Sequence, residues 1–538
     1  MVIALLLAAC GGGETPEPQP SPPSALVNPA EMLTRASLDI RGVRPNAEDV
    51  ERIHQTPDDL DTLIDGYLQD QRFPRRVMDL YSEIYLTQGE QFSVPFTAFD
   101  FGEGVIAADY VEAIGDEPLR ILAHIAAEDL PYTDLVTADW TMHNHVLGQM
   151  YPSDYPDGQT GWRLAHYTDD RPTAGVLSTN GMWWRYLSTR SNRNRKRANQ
   201  ISRIFLCNDY LTKPISFDRD VNLLDEEAVA DAIQHDPGCV SCHVSLDPLA
   251  SYLYGFWYVD DTSAGDATVY HPEREQKYLT LGGPSPGYYG QTGSSVADLG
   301  HKIASDPRFI ECAVETAFTR LMGRDTTLED SDALTIHREA FLDGDLTLRS
   351  LFSSIVSHPR YRSAVSAPDG FAERKFVTAN LLASQVKGIT GYLWTQSGVE
   401  MMKSDAIGVG NLAGRADGQR MVRNSRSPNA TMLLVNARLA EAATAHLLKT
   451  ESDQAQGDRK VFTEVDFDET VATNRTAIVE QIRHLHAVIF GRQIEADGEE
   501  VAANIALFEE LMDATSNPYV SWGGVMIALL RDPDFLMY

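Results

Sequence analysis

The feature that most limits how this chain can fold is the recurrence of apolar residues at helical rather than strand spacing. Between residues 59 and 68, Leu60, Leu63, Ile64, Tyr67 and Leu68 fall on one helical face with acids opposite. The same period runs through residues 118–128, 225–234, 296–304 and 430–448. Alternation suited to a strand is confined to short stretches such as residues 267–270. Glycine and proline crowd residues 151–161 and 281–293, which read as loops. The pattern predicts a mainly α, multi-domain helical protein with long loops.

The second half repeats itself. Phe318-Thr319-Arg320-Leu321-Met322-Gly323-Arg324 aligns with His486-Ala487-Val488-Ile489-Phe490-Gly491-Arg492. Further on, the run from Leu351 to Pro359 and Tyr361 aligns with the run from Val525 to Pro533 and Phe535. Each copy predicts three helices. The first stops at a glycine able to take the left-handed conformation, and the third stops before a proline. The aromatic after that proline can dock back on the helix.

A chain of 538 residues with a net charge of −32 has ample core and repels nucleic-acid phosphate, so nucleic acid is excluded as a partner. The chain opens with a short apolar run from Val2 to Ala9, too short to span a bilayer, which ends in Leu7-Ala8-Ala9-Cys10. That ending predicts a lipoprotein signal peptide over residues 1–9, with Cys10 carrying the lipid. No cationic stretch precedes the apolar run, and a plain secretory signal is the competing reading. Residues 10–30, rich in Pro, Glu and Ser, predict a flexible tether. The expected location is an outer or periplasm-facing membrane, with the lipid as anchor.

Of the five cysteines, Cys10 takes lipid and Cys239 and Cys242 share one motif. Cys207 and Cys312 remain as a possible disulfide in an oxidising compartment. Cys239-Val240-Ser241-Cys242-His243 is the sharpest motif of the chain. Each thiol can add across a porphyrin vinyl group, and the adjacent imidazole can then reach the iron, so the motif predicts one haem c with His243 as the iron ligand. A local disulfide between Cys239 and Cys242, or a metal site using His243, satisfies the same residues.

Around the motif, Pro237-Gly238 predicts a bend before it and Asp247-Pro248 a stop after it. Tyr252, Tyr254, Phe256, Trp257 and Tyr258 offer a wall for a macrocycle, although such runs more often form core. A second axial ligand is open between His271, His301, Met322 and none. The basic segment Arg185 to Arg203 reads as a solvated face paired with acids, or as a holder of haem propionates. His143-Asn144-His145 is a weak metal candidate of loop origin. No hydrolytic constellation or phosphate loop occurs, and the reading leans away from an enzyme.

The stretch from Leu33 to Tyr85, with Leu38-Asp39-Ile40-Arg41-Gly42-Val43-Arg44-Pro45, resembles the N-terminal domain of planctomycete-type cytochrome-like proteins. The stretches from Gly175 to Trp257 and from Asp306 to Arg362 resemble the two domains that follow it. The resemblance implies an exported cytochrome-like protein and supplies no reaction. The segments expected are 31–174, 175–265 with the motif, 266–365 with the first helical unit, and 366–538 with the second. The expected role is electron transfer or redox sensing with a protein partner. The alternative is a haem-free structural or binding lipoprotein whose Cys239 and Cys242 are joined.

Overall fold

The computed structural model describes residues 26–89, 92–214, 221–222, 224–259, 263–363, 374–404, 408–417 and 421–538. Cys10, the predicted signal peptide and most of the predicted tether lie outside the described residues. The protein is mainly α. Strand among the described residues is limited to three two-stranded antiparallel ribbons, the longest pairing Thr141–His143 with Arg163–Ala165. No described helix is long and apolar enough to cross a membrane.

Local chemistry sets the helix ends. Asn28 accepts from the amide of Glu31 at 3.0 Å to start Pro29–Arg41, where Pro29 needs no amide partner, and Gly42 ends it at φ 72°. The helix Ala107–Ala127 begins a full three turns before the predicted position and runs through Pro118. The carbonyl of Ile114, which Pro118 cannot bond, sits against Gly181; a side chain there would come within 2.3 Å of it. Helix Pro237–Ser251 likewise runs through Pro248 instead of stopping before it. Val244, whose carbonyl loses its bond there, lies on the exposed face. Residues 267–270 are not a strand: Ser263 caps a short helix, Ala264–Thr268, and this local bond outweighs the alternation.

The two aligned units have the same element order. In the first, Pro307–Met322 ends at Gly323 with φ 70°, followed by Ser331–Asp343 and Leu348–Ser357. In the second, Val471–Phe490 ends at Gly491, also at φ 70°, followed by Glu499–Thr515 and Pro518–Arg531. Tyr361 and Phe535, the aromatics after the closing prolines, are both buried.

The cores follow a different division from the predicted segments. Residues from 31–174, 175–265 and 266–365 share one hydrophobic core, extending from Met32 to Tyr361. A smaller core gathers Val94 to Trp184 with Ala267, and the second large core draws on Val377 to Leu536 together with Leu38. The first helix therefore contributes to both large cores.

Candidate functional site

The motif lies in the first turns of Pro237–Ser251. Pro237 occupies the first helical position rather than a bend, and the buried Asp236 caps the helix by accepting from the amide of Gly238 at 2.9 Å. Residues three and four apart share a helical face, so Cys239, Cys242 and His243 project together. Neither thiol is in a disulfide and both are half-buried, and Cys242 packs against the main core. The disulfide of the alternative reading is thus not formed: the pair lies inside a continuous helix with its sulfurs unlinked.

His243 is held from behind. Its Nδ1 is 2.9 Å from Oδ1 of Asp247, one helical turn on, and its side chain is 22% exposed. Asp247 in turn accepts both arms of Arg195, from Nε at 2.7 Å and from Nη2 at 2.8 Å, and Arg195 also donates to the Tyr278 hydroxyl. Burial alone would push the Asp247 carboxyl up, but the hydrogen bonds and charges of Arg195 and His243 hold it down at about 2. An ionised carboxylate can only accept, so in the neutral imidazole Nδ1 carries the proton and Nε2 the lone pair. Among the described residues Nε2 has no hydrogen-bond partner. The arrangement offers two thiols and a basic ring nitrogen of fixed tautomer on one partly exposed face.

The predicted surroundings are placed elsewhere. Tyr252, Tyr254, Phe256 and Trp257 are buried in the main core, with Tyr254 stacked between Trp257 and Tyr278 at 5.1 and 5.0 Å. The basic segment is structural. Arg197 is fully buried and donates to the carbonyls of Tyr186, Phe256 and Trp183, while Arg203 reaches the Ile84 carbonyl. Arg195 is the member of the segment that serves the motif.

Of the proposed second ligands, His271 has both ring nitrogens engaged, by Glu273 at 3.0 Å and by the Asp266 carbonyl at 2.8 Å. His301 is exposed on Val296–Ala304, and Met322 lines a cavity described below. His143 belongs to a strand rather than a loop, because its backbone pairs with Arg163. Its ring is buried between Glu117 at 3.3 Å and Ser153 at 3.1 Å, whereas His145 opens the next helix. Among the described residues no group of three or more His, Cys, Asp or Glu side chains is arranged to hold a metal ion.

The Cys207 and Cys312 pair is joined, with Cα atoms 5.3 Å apart. The Arg195–Asp247–His243 chain was missed from the sequence. The four-residue spacing of His243 and Asp247 was its visible signal, hidden by the assumption that Pro248 ended the helix. Comparison with models of protein families, with curated proteins and with solved structures finds no match to this chain.

Proposed function

We propose that the face of Pro237–Ser251 is a covalent haem-attachment site in an exported redox protein, anchored through Cys10, that transfers electrons to a protein partner or senses redox state with one. The observation that supports this reading is the joint presentation, on one helical face, of two thiols outside any disulfide and an imidazole whose Nε2 has no hydrogen-bond partner among the described residues. The donor set fits a haem c. Cys239 and Cys242 would hold the macrocycle, and His243 would offer Nε2 to the iron. The haem, when bound, supplies one-electron iron chemistry. Asp247 and Arg195 orient the ring and make its free nitrogen a stronger donor, as carboxylates behind metal-bound histidines do. The disulfide between Cys207 and Cys312 suits an oxidising compartment and so supports export.

A second reading, a haem-free structural or binding lipoprotein, is favoured by the packing of Tyr252 to Trp257 into the core, which leaves them unavailable as a haem wall. One experiment separates the two. The full chain, produced in a host that matures c-type cytochromes, is expected to give a haem-stained band on a denaturing gel, and its Soret band should survive acid–acetone extraction. Both signals should vanish in Cys239→Ala/Cys242→Ala. A chain that emerges folded and colourless would replace the first reading with the second.

A further inference from the structure

A cavity of about 300 Å³ opens where the two cores meet, far from the thiol motif in the chain. Its walls come from helix Phe73–Tyr85, from the Gly323 turn that ends the first helix of the first unit, from residues 374–378 and 423–426 of the second half, and from the C-terminal Tyr538. In a chain of net charge −32 this lining is conspicuously basic. Arg76, Arg320 and Lys375 form the inner wall, and Arg324, Arg374, Arg423 and Arg426 the remainder, with Glu83 as the one acidic side chain among the lining residues.

The local charges do not balance. Lys375 pairs with Asp39, Arg320 with Glu83, Arg324 with Asp330, Arg374 with Asp534, and Arg423 and Arg426 share Asp325. Among the described residues, seven lining cations thus meet five side-chain carboxylates, two of which, Asp330 and Asp534, are also taken by Arg360 and Arg492. Arg76 is the lining cation with no ion pair among the described residues. It is 4% exposed, its hydrogen bond runs from Nε to the Asp39 carbonyl at 3.3 Å, and its guanidinium has no carboxylate partner among the described residues. Nε of Arg320 is buried beside it without a hydrogen-bond partner. A buried guanidinium left without an anion is costly, and a fold retains one where something else completes the site.

We infer that this cavity binds a small polyanion, a phosphorylated or polycarboxylated molecule whose charges meet Arg76 and Arg320 inside and Arg423 and Arg426 at the mouth. The volume lies at the lower end of the range for small-molecule pockets, which sets a limit of one compact ligand. Planar guanidinium forks suit both phosphate and carboxylate oxygens. Because both halves supply its walls, ligand binding should also stabilise their junction. The site is independent of the haem reading and remains whether or not the thiols carry a porphyrin.

Calorimetric titration of the full chain with inorganic pyrophosphate and with citrate is the test. Saturable binding of at least one is expected. Affinity should fall tenfold or more in Arg76→Gln and stay unchanged in Arg438→Gln, an exposed arginine remote from the cavity lining. Preference for pyrophosphate assigns the phosphate class, and preference for citrate the carboxylate class. Should Arg76→Gln fail to fold, Arg423→Gln/Arg426→Gln alters two solvent-accessible side chains, and it must lower the affinity at least threefold. No saturable binding of either anion, or equal binding by the cavity variants and Arg438→Gln, overturns the proposal.

Discussion

Asp247 links a partly buried arginine to the partly exposed imidazole, and its charge does two separable jobs. It fixes which nitrogen of His243 is free, and it compensates the partly buried Arg195. Asp247→Asn keeps the shape and removes the charge, so the ring can turn and its donor strength falls. In the haem-loaded chain the expected result is a shifted Soret maximum and a raised reduction potential with covalent haem retained; an unchanged spectrum and potential would show that Asp247 does not act on the ring. A second readout is acid stability. The carboxyl sits at about 2 when folded, below its ordinary value, so its contribution is present above the unfolded value and lost as pH falls through the folded one. That contribution amounts to about 2 kcal/mol. Denaturant melts should therefore separate wild type from Asp247→Asn at pH 6 and bring them together near pH 2.

The elements divide by the range of the forces that define them. Helix ends at Gly323 and Gly491 and the proline stops of both units are local effects, and these were legible in the sequence; the caps at Asn28 and Ser295 are equally local but were not read there. Pro118 and Pro248 were misleading because tertiary contact and solvent make good the lost amide, at Gly181 and at the exposed Val244. The site divides the same way. Cys239, Cys242 and His243 declare themselves by spacing, whereas the arginine behind them lies 52 residues away in sequence. The bond between Cys207 and Cys312 joins the end of helix Arg195–Leu206 to helix Pro307–Met322 and closes a separation of 105 residues. Constraining a loop of that size is worth about 4 to 5 kcal/mol in the chain-entropy model. Cys207→Ala/Cys312→Ala should accordingly lose about 2 to 5 kcal/mol in chemical denaturation. A loss under 1 kcal/mol would mean that the unfolded chain is already restrained there.

At the scale of the whole molecule, the segment from Leu38 to Pro45 joins the two halves, which its sequence pattern did not announce. Asp39 is fully buried and accepts from Tyr361 of the first unit and from Lys375 and the C-terminal Tyr538 of the second half. Five residues on, Arg44 donates to Gln385 at 2.9 Å and to the carbonyls of Phe490 at 3.3 Å and Phe535 at 3.1 Å. Core membership depends on such long-range contacts, so the predicted boundaries at 174 and 265 had no counterpart in the packing. Burial pushes Arg44 down to about 10, a displacement that shows how far its charge has been taken from water. Arg44→Met fills a similar volume but leaves four acceptors around it, the Asp534 carbonyl included, without their donor. Each hydrogen bond to a charged group is worth about 1.5 to 3 kcal/mol, and a buried acceptor left unmade loses comparably. The damage should fall on the contact between the cores rather than within either. Scanning calorimetry of Arg44→Met is therefore expected to split the melt into two transitions, the half carrying residues 374–538 unfolding first and the disulfide-tied half close to its original temperature. A single transition at the wild-type temperature would mean that the cores are coupled elsewhere and that this segment is not what joins them.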